Sequence, residues 1–201
     1  MCIRDRYNKS NIPGRPENLY EYNKVLKSLF AGCLLLKKSK CKFIVIPCNT
    51  AHYWYDNLQK KIKIPIINMP KEVYKHAKKN CKKDSKIGML ATEGTLKTGV
   101  YNKFFDKNFE LINPKKPLQI SSVNKAIKYV KMGKIKEAER AIKPAINFLI
   151  KKKCKKIILG CTELPIAIFA FKSFKKIKLS KIFLDPNLIL AETSMKKYRS
   201  L

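Results

Sequence analysis

The sequence predicts an α/β fold of two similar lobes, each with a mostly parallel sheet flanked by helices. Short apolar runs alternate with longer amphipathic segments along the 201 residues, and this alternation is typical of parallel sheets. Two ten-residue segments, 41–50 and 154–163, also resemble each other, and each carries a cysteine at its eighth position. The repeat indicates that the lobes are related by a pseudo-two-fold axis. We expect the first lobe over residues 7–70, completed by a C-terminal helix at 185–201, and the second over 71–184.

The first lobe begins with a loop over residues 8–18, which are rich in Asn, Pro and Gly. A helix over about 19–38 is predicted because Leu26, Phe30 and Cys33 are spaced four and three residues apart and form one apolar stripe. The remaining elements are a strand at 43–46, a helix that begins near Asn49 or Thr50, and a strand at 64–68.

The second lobe is predicted to alternate strands and helices throughout. Its strands are the short apolar runs at 86–90, 109–112, 156–159 and 182–184. Helices are predicted at 71–80, about 95–105, 121–131, 135–153 and from 186 onward, and a turn after the strand at 156–159 leads into a short helix that ends at about 171. Ligands of such folds bind beyond the carboxyl ends of the strands, and both repeated cysteines fall there.

The net charge of +31 raises the alternative of a basic protein that associates with RNA. Of the 45 basic residues only five are arginine, although arginine is the side chain that best recognises base edges and phosphates. The lysines are spread along the whole chain, which favours a diffuse basic surface without a specific nucleic-acid partner. An RNA-associated protein would instead show salt-sensitive RNA binding that survives loss of the cysteines.

The sequence also bears on the compartment of the protein. The longest apolar run, 29–36, falls well short of the roughly 20 residues needed to span a bilayer, and we find no secretory signal. We therefore expect a cytoplasmic protein that does not associate with membranes. Seven cysteines in that compartment predict free thiols and not a disulfide framework.

Cys48 and Cys161 are the candidate catalytic residues, because each follows an apolar run and precedes a polar turn. A thiol at the start of a helix lies near free backbone N–H groups, which can lower its pKa and can bind a carboxylate. Two such thiols on opposite sides of one small carboxylate-bearing substrate could invert a stereocentre. One would remove a proton as the thiolate, and the other would donate a proton as the thiol.

Two other interpretations of these cysteines stay open. Both could be small buried hydrophobic residues, which is a common position for free cysteine. Alternatively, Cys48 and His52 are four residues apart and could share a helical face as zinc ligands, with Cys161 joining from the other lobe. Further ligands are not evident nearby, so we predict no metal site.

Four segments of the chain resemble motifs of the aspartate/glutamate racemase family, and specifically of its aspartate racemase branch. Segment 47–52 (Pro-Cys-Asn-Thr-Ala-His) resembles the first catalytic motif, and 160–165 (Gly-Cys-Thr-Glu-Leu-Pro) resembles the second. Segment 91–95 (Ala-Thr-Glu-Gly-Thr) resembles the middle substrate-binding loop, and 184–186 (Leu-Asp-Pro) the C-terminal signature. The glutamate racemase branch carries His after its second Cys-Thr, where this chain has Glu163.

The resemblance implies that Cys48 and Cys161 are the two acid/base residues. Arg15 follows Gly14 where the family usually has Asp, and Lys131 resembles a lysine that contacts the side-chain carboxylate. The full set of residues implied to hold the carboxylates and the ammonium group of the substrate is Arg15, Asn49, Thr50, Thr92, Thr95, Lys131 and Thr162.

The function implied by the resemblance is that of an amino-acid racemase acting on aspartate. Members of the family are usually homodimers and need neither pyridoxal phosphate nor metal. A glutamate racemase, a broad-specificity amino-acid racemase or a related isomerase is the alternative, because pocket geometry decides whether one additional methylene group is accepted.

The chain departs from the family at its beginning. The family opens with a strand and a glycine-rich loop that helps to form the site, and neither is recognisable in this sequence. Residues 1–6 instead match the translation of an adapter used in sequencing libraries, and we leave them out of the fold prediction. We therefore expect a gene that begins upstream and a first lobe without its opening strand. The chain as written is expected to fold poorly or to be inactive.

Overall fold

The computed structural model describes residues 22–169 and 181–201. Within these ranges the chain forms two sheets, whose strands all run parallel and are flanked by helices. The predicted α/β class is therefore confirmed. The loop predicted at 8–18 lies outside the described residues, and the division of the chain into lobes stays a prediction.

The smaller sheet pairs strand β1 (Ile44–Val45) with strand β2 (Ile66–Ile67). Both strands are shorter than predicted, because only two residues of each apolar run pair. Helix α1 (Tyr22–Lys38) packs against helix α2 (Tyr55–Ile62), and a 3₁₀ helix over Thr50–Trp54 leads into α2. The buried residues of this core are Val25, Cys33, Ile44, Trp54, Leu58, Ile62 and Ile66.

Helix α3 (Met69–Asn80) begins two residues earlier than predicted. Asn68 is its N-cap, since its side-chain oxygen accepts a hydrogen bond from the backbone N–H of Lys71 at 3.0 Å. Pro70 stands in the first turn, where the missing backbone N–H has no helical partner to lose. These two residues end the preceding strand and start the helix.

The larger sheet has the strand order β4 (Phe109–Ile112), β3 (Ser85–Ala91), β5 (Lys156–Gly160) and β6 (Phe183–Leu184). All four strands were predicted within two residues of these bounds. Ala91 pairs with Gly160 in the register of β3 and β5, so the carboxyl ends of these two strands lie side by side.

The remaining helices surround the larger sheet. The helix predicted over about 95–105 is wrong as a single element, because Gly99 adopts φ +60° and ends the first part. In chain order the elements are α4 (Glu93–Thr98), α5 (Asn102–Phe105), α6 (Lys116–Leu118), a π-helical segment (Gln119–Asn124), α7 (Lys125–Lys131), α8 (Ile135–Lys151), α9 (Leu164–Phe169) and α10 (Pro186–Arg199).

Both faces of the larger sheet are buried. One face packs against α7, α8 and α9, and the other packs against α3, α5 and α10. This explains why β5 reads as a continuous apolar run and not as an alternating one. Each large aliphatic side chain buried here stabilises the fold by about 1.5–3 kcal/mol. The arrangement leaves the carboxyl ends of the strands open to form a site.

Two further predictions concern thiols and membranes. Six cysteines lie in the described part of the chain, and each of them is a free thiol, as predicted. Within the same part, none of the helices combines the length and the apolar character needed to cross a membrane.

Candidate active site

A cavity of about 580 Å³ lies at the carboxyl ends of the strands, between the segments that follow β1, β3 and β5. Its wall also includes residues of the π-helical segment and α7. Arg15 lies outside the described residues. Every predicted site residue within the described ranges lines this one cavity: Cys48, Asn49, Thr50, Thr92, Thr95, Lys131, Cys161 and Thr162.

The backbone at Cys48 is held by His52. The imidazole Nδ1 lies 2.9 Å from the carbonyl oxygen of Cys48, and Nε2 accepts a hydrogen bond from the backbone N–H of Met69 at 3.1 Å. Because Nε2 is an acceptor, the ring proton is on Nδ1 and is donated to Cys48. Burial lowers the pKa of His52, which agrees with a neutral ring. His52 therefore links the Cys48 loop to the start of α3.

These contacts bear on the zinc alternative. Both ring nitrogens of His52 are engaged by backbone groups, so neither is directed to a metal shared with Cys48. Over residues 22–169 and 181–201, no group of three or more His, Cys, Asp or Glu residues is arranged to hold a metal ion. The neutral, hydrogen-bonded His52 is a structural support of the cavity wall.

Cys161 follows the last residue of β5 directly. That residue is Gly160, and a Cβ atom built there would lie 2.8 Å from the Cβ of Ala91 and 3.3 Å from the carbonyl oxygen of Leu90. Only glycine allows β5 to approach β3 this closely at the site. The approach brings the segment with Cys161 next to the segment with Thr92, and both line the cavity.

The thiol of Cys161 is buried and donates a hydrogen bond to Oε2 of Glu163 at 2.9 Å. Burial raises the pKa of Cys161 well above its ordinary value, and the Glu163 carboxylate raises it further. The lowered thiol pKa suggested by the sequence is therefore wrong for Cys161, because burial and the carboxylate outweigh the nearby backbone N–H groups. Cys161 is held in its neutral thiol form.

Three threonine hydroxyls form a chain across the cavity. Thr95 Oγ1 lies 2.7 Å from Thr50 Oγ1 and 3.0 Å from Thr92 Oγ1. Thr92 also caps α4, since its Oγ1 accepts a hydrogen bond from the backbone N–H of Thr95 at 3.2 Å. These hydrogen bonds join the segment after β1 to the segment after β3. The three hydroxyl groups form a fixed row that a polar ligand can contact.

Asn49 is oriented by Tyr101, which the sequence analysis did not identify. Both side chains are buried, and the Tyr101 hydroxyl donates a hydrogen bond to Asn49 Oδ1 at 2.5 Å. This bond fixes the orientation of the Asn49 amide, with Oδ1 directed to Tyr101. The two N–H donors of the amide then remain for a ligand in the cavity. Tyr101 lies 52 residues further along the chain, so no local pattern points to this pairing.

Other cavity residues were missed as well. Asn124 and Lys128 precede Lys131 by seven and three residues, and all three line the cavity. This helical spacing places them on one face, and it could have found them once Lys131 was chosen. Asn124 Nδ2 donates to Oε1 of Glu93 at 2.8 Å, which fixes a carboxylate in the wall. With Glu93, Lys128, Lys131 and Glu163, the cavity wall carries two acidic and two basic side chains.

Comparisons with known proteins agree with this geometry. A family model described as Asp/Glu/hydantoin racemase matches residues 4–193. The chain is 27% identical over 144 residues to the broad specificity amino-acid racemase of Bacillus subtilis, covering 72% of this chain and 62% of that protein. It is 32% identical over 127 residues to a glutamate racemase of Sulfurihydrogenibium, covering 61% of this chain and 46% of that protein. The chain thus spans less than two thirds of the length of these two relatives.

Solved structures show the same fold. The aspartate racemase of Picrophilus torridus superposes with a TM-score of 0.78 at 27% identity, over 95% of this chain and 77% of that one. A structure titled as a putative Asp/Glu racemase from Yersinia pestis superposes with a TM-score of 0.73 at 22% identity, over 88% and 75% of the two chains. Because the family model covers nearly the whole sequence, this chain belongs to the Asp/Glu/hydantoin racemase family.

Proposed function

We propose that the protein is a cofactor-independent amino-acid racemase that acts on aspartate and uses Cys48 and Cys161 as its two acid/base groups. The observation that carries the proposal is that both thiols line one cavity whose other walls are polar and charged. Membership of a racemase family and the similarity to an aspartate racemase support it.

The reaction needs one thiolate and one thiol on opposite faces of the substrate. Cys48 as the thiolate takes the α-proton from one enantiomer, and the Cys161 thiol gives a proton to the other face of the same carbon. The product is the mirror image, and the pair then has its roles exchanged for the reverse reaction.

The cavity offers separate groups for the parts of an acidic amino acid. The free N–H donors of Asn49 and the backbone groups nearby suit the α-carboxylate. The ammonium group finds hydroxyl acceptors along the Thr50–Thr95–Thr92 chain. Lys131 suits a second carboxylate, which favours aspartate over a neutral amino acid. Glutamate is the second candidate substrate, because the relatives include a glutamate racemase and a broad specificity enzyme.

The test is a chiral assay. L-aspartate, L-glutamate and L-alanine are each incubated with the 201-residue chain and with the same chain preceded by the opening strand and glycine-rich loop of a family member, and the enantiomers are separated by chromatography. We expect aspartate to reach an equal mixture. Cys48→Ala and Cys161→Ala should each lower the rate by about 10²–10⁴-fold or more, which is the usual contribution of a general acid or base.

The control variant is Cys41→Ala, which removes a partly exposed cysteine outside the cavity and should leave the rate unchanged. The proposal is wrong if neither form inverts an acidic amino acid, or if inversion survives the loss of either cavity cysteine. Faster inversion of glutamate than of aspartate would reassign the substrate but not the mechanism.

A further inference from the structure

Glu163 is a cavity carboxylate that the proposed reaction does not yet use. Its Oε2 accepts hydrogen bonds from the Cys161 thiol and from the Thr162 hydroxyl, each at 2.9 Å. Its Oε1 lies 3.7 Å from Nζ of Lys131. One oxygen of this carboxylate therefore contacts the sulfur atom, and the other faces a cation.

The charge of Glu163 matters at this distance. A carboxylate that accepts a hydrogen bond from a thiol stabilises the thiol and opposes a negative charge on the sulfur. Burial alone would raise the pKa of Glu163, but the hydrogen bonds from Cys161, Thr162 and the backbone, together with the charge of Lys131, outweigh burial and lower it, so the group stays ionised.

Lys131 acts on Cys161 in the opposite direction, because it partly neutralises Glu163. Its side chain is 63% exposed, whereas that of Glu163 is 22% exposed, so solvent screens the lysine more than the carboxylate. The other charged or titratable groups that line the cavity are Cys48, Glu93 and Lys128. Of the two glutamates, Glu163 is the one whose carboxylate is hydrogen-bonded to the thiol.

We propose that Glu163 is a positioning residue that aims the Cys161 S–H bond and sets the proton affinity of the sulfur, with Lys131 as its counter-charge. The proposal rests on the function above for the role of Cys161. When Cys161 donates its proton to the α-carbon, the S–H electron pair stays on sulfur as a thiolate and Glu163 remains a carboxylate. Glu163 then opposes that thiolate, which makes Cys161 a stronger base for the reverse reaction.

The test measures the alkylation of Cys161 by iodoacetamide between pH 6 and pH 10, with the modified peptide quantified by mass spectrometry. Only the thiolate reacts. In Glu163→Gln we expect the rate at pH 8 to rise about threefold or more, since the thiolate fraction grows about tenfold per unit of pKa while its nucleophilicity falls by less. In Lys131→Gln we expect the rate to fall. Glu93→Gln is the matched control, which removes a cavity carboxylate bonded to Asn124, and it should leave the Cys161 rate near that of the unmodified protein.

The opposite signs make the test specific. A substitution that merely loosened the cavity would accelerate alkylation in both variants, whereas removal of a negative and of a positive charge should act in opposite directions. The proposal is overturned if the Cys161 rate in Glu163→Gln is unchanged, or if both variants change in the same direction. Should Glu163→Gln fail to fold, the exposed Lys131→Gln decides alone, with a slower rate supporting the proposal and an equal or faster rate overturning it.

Failure of the proposed function has a different signature. A protein that shows the alkylation pattern but inverts no amino acid would contradict the racemase and leave the Glu163–Cys161 contact intact. In a protein that inverts aspartate, Glu163→Gln should also move the alkaline limb of the kcat/KM profile to lower pH. A purely structural effect would lower the whole profile without moving that limb.

Discussion

Tyr101 and His52 do not line the cavity, and each forms a hydrogen bond to the segment that carries Cys48 and Asn49. The Tyr101 hydroxyl fixes the amide of Asn49, and the His52 ring fixes the backbone at Cys48. Loss of either side chain should change substrate binding or turnover without any direct contact to the substrate, because each one orients a binding or reacting group. Both residues can therefore be tested by substitutions that leave the proposed acid/base groups in place.

Tyr101→Phe removes one buried oxygen and leaves Oδ1 of Asn49 without its donor. An unpaired buried acceptor costs about 1–3 kcal/mol, and the amide is then free to turn. We expect KM for aspartate to rise about tenfold while kcat changes less, in steady-state kinetics. Tyr74→Phe is the matched control, because the Tyr74 hydroxyl binds Asn108 outside the cavity. An unchanged KM in Tyr101→Phe would contradict the assigned orientation of Asn49.

His52 gives the stability of the fold a pH dependence. Burial lowers its pKa from 6.5, so below about pH 6.5 the unfolded chain binds a proton that the folded chain does not. The free energy of unfolding should therefore fall as pH decreases from about 6.5 towards the lowered pKa. We expect urea denaturation midpoints to drop between pH 7.5 and pH 5.5, and to drop less in His52→Gln.

The chain offers its own control for this prediction. His76 is exposed on α3, and His76→Gln should keep the full pH dependence. Equal slopes for His52→Gln and the unmodified protein would show that the ring is not held neutral by burial.

The residues that could be predicted from the sequence lie in contiguous motifs. Cys48 and Cys161 follow strand ends, where a short-range pattern suffices to find them, and the threonines lie in motifs that the family resemblance identified. Tyr101 reaches the site through a tertiary contact with Asn49, which lies 52 positions away, and no local spacing reports such a contact. The raised pKa of Cys161 was likewise beyond the sequence, because it depends on burial and on the direction of the Glu163 side chain.

Among the elements, the π-helical segment is hydrogen-bonded to α8 beside a proline of that helix. Pro144 lies inside α8 and has no N–H to donate. The Ser122 hydroxyl, from the π-helical segment, donates to the carbonyl oxygen of Ala141 at 2.5 Å and accepts from the N–H of Ala145 at 3.3 Å. The hydroxyl thus enters the helix where its ladder of hydrogen bonds is interrupted. This contact also holds the segment that ends at Asn124 in the cavity wall.

A double-mutant cycle tests this joint. Ser122→Ala removes the hydroxyl that bonds the carbonyl oxygen of Ala141 and the buried N–H of Ala145, and it should lower the free energy of unfolding by about 1–3 kcal/mol in urea denaturation. In a Pro144→Ala background the residue at 144 can donate to the carbonyl oxygen of Arg140, and without the proline ring the turn can close more tightly around Ala141 and Ala145, so the same substitution should cost less. Equal costs in the two backgrounds would show that Ser122 does not compensate for the proline.

The existence and order of most elements followed from apolar periodicity, whereas several boundaries did not. Gly99 divides one predicted helix into two, because its backbone adopts the left-handed conformation that ends α4. A glycine within a helical pattern does not by itself show that the backbone takes this conformation. Asn68 was predicted as the end of a strand, but it caps α3. In both cases the conformation of a single residue sets the boundary of an element. The apolar pattern of the neighbouring residues could not show which residue would do so.

At the scale of the whole molecule, the net charge of +31 is the property that a different function would use. We expect a diffuse basic surface to bind single-stranded RNA weakly and without sequence preference. Raising salt from about 50 to about 200 mM should remove this binding, because it depends on released counterions. Fluorescence anisotropy with labelled RNA measures it. Tight, sequence-dependent binding at the higher salt, unaffected by Cys48→Ala and Cys161→Ala, would favour the RNA-associated alternative.

The two-thiol mechanism is tested most directly by exchange of the substrate α-proton in D₂O, followed by ¹H NMR in the form that inverts aspartate. Cys48→Ala and Cys161→Ala should each fail to invert, because each lacks one of the two groups. Each should still exchange the α-proton of one enantiomer, and the two variants should act on opposite enantiomers, since the remaining thiols serve opposite faces. Exchange of the same enantiomer by both variants, or continued inversion in either, would contradict the mechanism.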